Sequence, residues 1–428
     1  MSKVIQVDYL ARVEGEGALR MTFDGNRAER VELNIFEPPR FFEGFLRGRS
    51  ALETPDLTAR ICGICPVAYQ MSACSAVENG LGMQLPAALR DLRRLLYCGE
   101  WIESHVLHVF MLHLPDFLGK QSALEAAKEH GDRIRLGLRV KKAGNAIVRV
   151  LGGREIHPIN VRIGGFYKLP TRAELRTLLP ELEWAKQAML EALEWLASLP
   201  CPQLERDYEF VALRGDGRYP FCEERLISNK GLDISVAEYE LHFEETHVAH
   251  STALHSQLRA RGSYVCGPLA RFNLNFDVLC EAARSAAERI GLIPPVNNPF
   301  KGLLVRSIEV IQTLDEAVRI IEHYEPIAQA ALEVVPRAAT GYGCTEAPRG
   351  ALYHRYRFDD EAAISEAKIV PPTSQNQSSI EDDLRALAPR LVDLDDAGAT
   401  WLAEQAIRNY DPCISCSTHF LKMERIRR

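Results

Sequence analysis

The 428-residue chain carries eleven cysteines, and four of them fall into two Cys-x-x-Cys pairs. Cys62 and Cys65 sit in Arg60-Ile-Cys-Gly-Ile-Cys-Pro, and Cys413 and Cys416 sit in Asp411-Pro-Cys-Ile-Ser-Cys-Ser-Thr-His. Four thiolates are enough to complete a soft metal site without help from other ligands. Spacing alone leaves a structural zinc as an equal alternative to a redox-active metal. Two features weigh against zinc. A structural zinc usually closes a compact local knuckle, whereas these pairs lie at opposite ends of the chain. Pro66 also follows the first pair and leads into a helical stretch instead of a flexible turn. The remaining seven cysteines (Cys74, Cys98, Cys201, Cys222, Cys266, Cys280 and Cys344) are scattered singly and read as mostly small core residues. An odd cysteine count behind a start (Met1-Ser-Lys-Val-Ile-Gln-Val-Asp) with no signal-peptide core or twin arginine argues against a disulfide framework. It leads us to expect a cytoplasmic protein.

A second group of candidate ligands is His242, His247, His250 and His255, with Glu244 and Glu245 between them. If the stretch is helical, His247 and His250 share a face, but the steps of five turn the other two away. The expectation is a polar helix face or subunit contact, not a dedicated metal site. Glu381-Asp-Asp and Asp393-Leu-Asp-Asp read as solvated acidic surface.

These residues need a scaffold, and the patterning describes one. The opening, with Val4-Ile-Gln-Val, Leu19-Arg-Met-Thr-Phe and Val31-Glu-Leu-Asn-Ile broken by Gly15, Gly17 and Gly25-Asn26, predicts a small β-sheet. From about Ser72 helical patterns dominate, over 87–118, 173–199, 236–261, 276–290 and 314–335. No internal repeat appears. The polar stretch 369–379, with Pro371-Pro372, is the nearest thing to a linker. The expected class is mainly α with small β elements (α+β), one intertwined domain over 1–428. Its central helical bundle would let the N- and C-terminal cysteine motifs meet at a buried bimetallic site. Composition agrees with a globular chain: 46% apolar and 25% charged residues support a sizeable core and exclude disorder. A net charge of −7 without a basic run disfavours nucleic acid and anionic membrane, and no apolar run reaches the length of a span.

The two cysteine motifs, with four further segments in the same order, resemble the large, catalytic subunit of nickel–iron hydrogenases. Those segments are Arg12-Val-Glu-Gly, Phe42-Glu-Gly-Phe-Leu-Arg-Gly-Arg, Glu346-Ala-Pro-Arg-Gly-x-Leu-x-His and Pro372-Thr-Ser-Gln-Asn. The resemblance runs from residue 12 to residue 419. Ile102-Glu-Ser-His-Val-Leu-His, Gly152-Gly-Arg-Glu-Ile-His-Pro and Cys266-Gly-Pro-Leu-Ala-Arg-Phe-Asn look like the cytosolic, pyridine-nucleotide-linked branch, which includes sulfhydrogenase-like enzymes.

The resemblance implies a role for each matching residue. Cys62 and Cys413 would be terminal nickel ligands, and Cys65 and Cys416 would bridge nickel to an iron carrying one CO and two cyanides. Cys413 would take the proton when H2 splits, and Glu14 would pass it on. Arg349 would donate to one cyanide beside Pro348, and Thr373 would donate to the other. Glu43, the carbonyl of Ile369 and His419 would hold magnesium. Partners implied are an Fe–S small subunit, flavin- and NAD(P)-binding subunits, maturation proteins and a C-terminal endopeptidase that removes 420–428. The reaction implied is reversible cleavage of H2 to protons and electrons. A hydrogen sensor or a non-catalytic metal-binding scaffold of the same fold are the alternatives. Two positions depart from many relatives: Tyr69 stands where a His is common, and Ser104 where uptake-type members carry Asp.

Overall fold

The computed structural model describes residues 3–215, 217–223 and 225–418. Its first element is the expected sheet: β1 (Val4–Val7), β2 (Gly17–Asp24) and β3 (Arg27–Ile35), antiparallel in that order. Period-two alternation sends Ile5, Val7, Leu19, Met21, Phe23, Val31, Leu33 and Ile35 into the core. The turn of α1 (Phe42–Leu46) then leads toward the first cysteine pair.

Helix α2 (Pro66–Leu81) starts directly after Cys65. Proline suits a first helical turn because its missing N–H would have no partner there. The N–H groups of Val67 and Ala68 are instead taken by the buried Glu100 carboxylate, at 2.6 and 3.0 Å. Helices α3 (Ala87–Val106), α4 (Ala123–Gly152), α5 (Leu179–Ala197) and α6 (Gly302–Glu322) pack on one another as the central bundle. A π-helical turn over Leu107–His113 and a last turn over Leu114–Phe117 extend α3, so the expected 87–118 stretch is continuous.

Four helix expectations need correction. Over 173–199 a short capped helix, Arg172–Arg176, precedes α5, which begins at Leu179. Over 314–335 the helix begins earlier, at Gly302, and stops at Glu322 ahead of Glu325-Pro326. Over 276–290 regular helix is confined to Glu281–Arg289, after a single turn at Phe276–Val278. Over 236–261 the helix is confined to a 3-10 turn, Val236–Glu238, and a helical turn, Tyr239–His242, followed by a hairpin of β4 (Phe243–Thr246) and β5 (His255–Leu258). The apolar stripe explains this. Val236, Tyr239 and Phe243 keep helical spacing, but Thr246, His247 and His250 stand where a continuing helix needs apolar residues. Phe243 and Leu258 instead bury among Tyr239, Tyr264 and Tyr353.

The chain finishes with the antiparallel meander β6 (Ala339–Ala347), β7 (Gly350–Phe358) and β8 (Ile364–Val370), then α7 (Pro372–Asp393) and α8 (Asp396–Arg408). Gly341 lets β6 lie directly on α2, because a Cβ there would stand 1.8 Å from the Ala76 carbonyl oxygen. The stretch 369–379 is therefore no linker: it is the buried end of β8 and the buried start of α7. Glu381 and Asp383 are likewise inside, with Asp383 accepting from the hydroxyls of Tyr208 and Tyr410 at 2.7 and 2.8 Å. Asp393, Asp395 and Asp396 are exposed, as expected. One hydrophobic core runs through sheet, bundle and meander and includes all four paired cysteines. Of the single cysteines, Cys74, Cys98, Cys266 and Cys344 are buried, while Cys201, Cys222 and Cys280 are partly so.

Candidate active site

Among the contacts that join the two ends of the chain is a parallel bridge between Glu14 and Cys413, with the Ile414 N–H donating to the Glu14 carbonyl at 2.9 Å. That bridge brings the last cysteine pair onto the first. Cys62 Sγ lies 3.4 Å from Cys413 Sγ, Cys65 Sγ lies 3.6 Å from Cys416 Sγ, and Cys413 and Cys416 are 2.8 Å apart. All four are buried and mutually within 4.8 Å, a soft-donor set around one centre. Cys62 also accepts the N–H groups of Ile64 and Cys65 at 3.3 and 3.4 Å. Hydrogen bonds from Cys413, Cys416 and Cys65 hold Cys62 well below the ordinary thiol range. Burial first, and the neighbouring thiols next, push Cys413 above it, and burial raises Cys416 although the hydrogen bond with Cys413 opposes it.

The segment bearing Glu14 is anchored from behind. Arg12 donates to the Leu112 carbonyl at 2.7 Å and pairs with Asp116 at 2.6 Å, and Arg408 holds the same carboxylate at 2.8 Å. Glu14 Oε2 accepts from Cys413 Sγ at 3.0 Å and from the Ser415 N–H at 3.1 Å. Its Oε1 accepts from Ser415 Oγ at 2.6 Å, and that hydroxyl lies 3.3 Å from Glu37 Oε1. A line of exchangeable groups therefore leads from Cys413 through Glu14 and Ser415 to the partly exposed Glu37.

Arg349 is buried at the other side of the thiols. Its Nε donates to the Asp411 carbonyl at 2.7 Å and its Nη2 pairs with the Asp411 carboxylate at 3.1 Å. Its Nη1 has no hydrogen-bond partner among the described residues. A buried guanidinium N–H without an acceptor fits a ligand that supplies one. Thr373 Oγ1 accepts the Cys413 N–H at 3.1 Å, which leaves the hydroxyl hydrogen to donate elsewhere.

The comparisons with known proteins agree with this geometry. The family model described as "Nickel-dependent hydrogenase" matches residues 40–136 and 303–419. Sulfhydrogenase 1 subunit alpha of Pyrococcus furiosus is 32% identical over 426 residues, which covers 98% of each chain. The chain belongs to the nickel-dependent hydrogenase family. It is also similar to the NAD-reducing hydrogenase HoxS subunit beta of Cupriavidus necator, at 26% identity over 98% of this chain and 96% of that one. A crystal structure of an NAD+-reducing [NiFe]-hydrogenase in the H2-reduced state superposes with a TM-score of 0.88 at 25% identity, covering 97% and 99% of the two chains. A [NiFeSe]-hydrogenase from Dm. baculatum shares the fold at 19% identity and a TM-score of 0.78, covering 98% of this chain and 100% of that one. The zinc-knuckle alternative falls with these matches.

Most of the residues expected to act in this hydrogenase come together. Glu14, Cys62, Cys65, Cys413, Cys416, Arg349 and Thr373 converge, and Pro348 sits buried in the turn before Arg349. Glu43 and Ile369 also meet: the Ile369 N–H donates to Glu43 Oε1 at 2.9 Å. His419 and the tail 420–428 lie outside the described residues. Tyr69 is buried beside the cluster, where burial and then the charge of Cys416 oppose its ionisation. Ser104 is buried and its hydroxyl has no partner among the described residues, and the carboxylate that pairs with Arg349 is that of Asp411.

Three supporting residues are not evident from the sequence. Asp411 and Ser415 lie inside the second cysteine motif itself. Arg271, fully buried within Cys266-Gly-Pro-Leu-Ala-Arg, pairs with Glu309 at 2.8 Å and Glu346 at 2.9 Å. It also donates to the carbonyls of Ala347 and Pro348 at 2.9 and 3.0 Å, fixing the turn that presents Arg349. Gly267 permits this closeness, since a Cβ there would stand 2.5 Å from the Arg349 carbonyl oxygen.

Proposed function

We propose that this hydrogenase chain splits and forms H2 at a nickel–iron pair held by Cys62, Cys65, Cys413 and Cys416. Cys62 and Cys413 would be terminal on nickel, and Cys65 and Cys416 shared with an iron carrying one CO and two cyanides. The four soft thiolates and the unmatched Arg349 Nη1 fit such a group. When bound, it supplies the redox-active Lewis acid that accepts the two electrons of H2.

The protein's own work is proton handling and positioning. Cys413 Sγ takes a proton and delivers it across 3.0 Å to Glu14, the observation that carries this reading. Ser415 and Glu37 continue the route outward. Arg349 and Thr373 orient the diatomic ligands, with Asp411 and Arg271 holding Arg349 in place. The electrons need another chain, because among the described residues no further cluster of cysteines stands ready for an iron–sulfur relay. An Fe–S small subunit with flavin- and NAD(P)-binding subunits behind it fits the sulfhydrogenase and NAD-reducing relatives. No helix of the described residues is long and apolar enough to cross a membrane, and we place the complex in the cytoplasm. Glu43 and the Ile369 carbonyl, with His419, would hold magnesium behind the site. Maturation proteins would load the metals, and an endopeptidase would then cut after His419. The mass of the chain in active enzyme, ending at His419 or at Arg428, decides that last step.

The test is metal analysis and infrared spectroscopy of the purified complex under H2. Equimolar nickel and iron with bands of metal-bound CO and cyanide are expected, together with H2-dependent reduction of NAD(P). Zinc as the sole metal would overturn the reading. H2 binding without turnover would favour a sensor.

A further inference from the structure

The hairpin that replaces the expected helix gives its histidines a different geometry. His255 opens β5, His250 lies in the hairpin loop, and Glu381 comes from α7. One nitrogen of each histidine and one oxygen of Glu381 lie within 4.8 Å of one another. His250 Nε2 is 2.8 Å from Glu381 Oε1, and the two imidazole rings stand edge-on, at 84° with centroids 5.6 Å apart. The His250–Glu381 contact by itself is an ordinary ion pair. His255 makes the difference. It is 4% exposed, and its Nε2 has no hydrogen-bond partner among the described residues. Its Nδ1 reaches only the Ser378 hydroxyl, at 3.4 Å. A buried nitrogen left unmatched is expensive, and native proteins retain one where something else occupies it.

The surroundings suit a cation. His255 offers its unmatched Nε2 as a ligand atom from a buried position. Two imidazoles and a carboxylate form a donor set that borderline divalent ions take with a fourth position open. The Leu33 N–H at 3.1 Å and Arg385 at 3.3 Å orient the Glu381 oxygens, and Ser378 sits on the far nitrogen of His255, as outer partners of ligands do. A cleft of about 690 Å³ lined by Asn34, Phe36, His250 and Thr252 reaches the His250 edge of the cluster, while His255 and Glu381 lie behind it. We infer that His250, His255 and Glu381 form a second metal site, separate from the four cysteines, for a divalent ion of the zinc class. Bonds of about 2.0–2.1 Å in a tetrahedron set ligand atoms about 3.3 Å apart, so the His250–Glu381 contact would open slightly on binding. The ion would tie β3, the hairpin and α7 together.

The experiment uses the purified holoenzyme complex, cleared of loosely held ions by a weak chelator and dialysed against Zn2+. Zinc and nickel are then counted together by mass spectrometry. Wild type is expected to hold about one more zinc per catalytic chain than His255→Phe and Glu381→Gln, with nickel equal in all three. Equal zinc in wild type and both variants overturns the site. Should His255→Phe also lose nickel through misfolding, His250→Gln at the partly exposed rim decides by the same zinc count. The equal nickel content keeps this result distinct from any failure at the cysteine cluster.

Discussion

Replacing Arg271 by Met keeps the volume of a long side chain but removes the cation that serves two buried carboxylates. Burial alone would raise the Glu309 carboxyl, yet Arg271 overcomes it and holds that group down to about 2. Glu346, for which burial outweighs the same arginine, stands at about 7. Breaking a buried ion pair by removing one partner costs about 3–5 kcal/mol. At about 2.1 cal/mol/K per residue, a 428-residue chain unfolds with an entropy near 0.9 kcal/mol/K, so the midpoint should drop by about 4 °C. The pH dependence has a definite sign. In wild type the depressed Glu309 contributes stability that is fully present above its unfolded pKa and lost only as pH falls through about 2. Without Arg271 its folded pKa rises above the unfolded one, so stability is lost as pH rises. The deficit should therefore grow from pH 6 to pH 8, by up to about 1.4 kcal/mol per pH unit while Glu309 stays protonated. Scanning calorimetry of the complex at fixed rate measures it, with Arg271→Met/Glu309→Gln expected to recover part of the loss. H2 oxidation should fall as well, because the Ala347 and Pro348 carbonyls lose their donor and Arg349 loses its fixed turn. A midpoint within about 1 °C of wild type at pH 8, unchanged in the double variant, would refute the reasoning.

Cys416→Ser should leave the complex without nickel, since a hydroxyl of high pKa cannot replace a soft bridging thiolate; metal analysis checks it. Glu14→Gln should retain nickel but lower H2 oxidation and H/D exchange by about 10²–10⁴-fold, because an amide fills the same space, keeps one acceptor oxygen and relays no proton. Ser415→Ala removes the 2.6 Å hydroxyl link while the Ser415 N–H still holds Glu14. Exchange should slow by about tenfold with nickel unchanged, and a normal rate would show that protons leave by another way.

The cysteine motifs, the N-terminal sheet and most bundle helices were legible because short-range pattern and local geometry coincide there. Helix α4 was not, because Arg133, Arg135, Arg139, Lys141 and Lys142 dilute an apolar stripe completed by small residues. Gly144 shows why small residues matter: a Cβ there would stand 2.7 Å from the Gly99 carbonyl oxygen on α3. The hairpin was read as helix because its first apolar residues keep helical spacing before the pattern stops. Glu381 and Asp383 looked solvated because burial of a carboxylate depends on partners such as Tyr208, Tyr410 and His250, which come from distant segments. Arg271 and Ser415 were hidden for the same reason. Each stands inside a quoted motif, but its role depends on a contact that only the fold creates.

The parallel bridge between Glu14 and Cys413 also sets a timetable for biosynthesis. Cys62 and Cys413 are 351 positions apart, so closing that loop costs about 5 kcal/mol of chain entropy that a local knuckle would avoid. At about 5–20 residues per second, roughly 20–70 s of translation separate the first half of the donor set from the second. An ion arriving in that interval meets only Cys62 and Cys65, a two-thiolate site with little power to discriminate between soft metals. A four-thiolate set thus exists only once Cys413 and Cys416 have joined the first pair across that long loop.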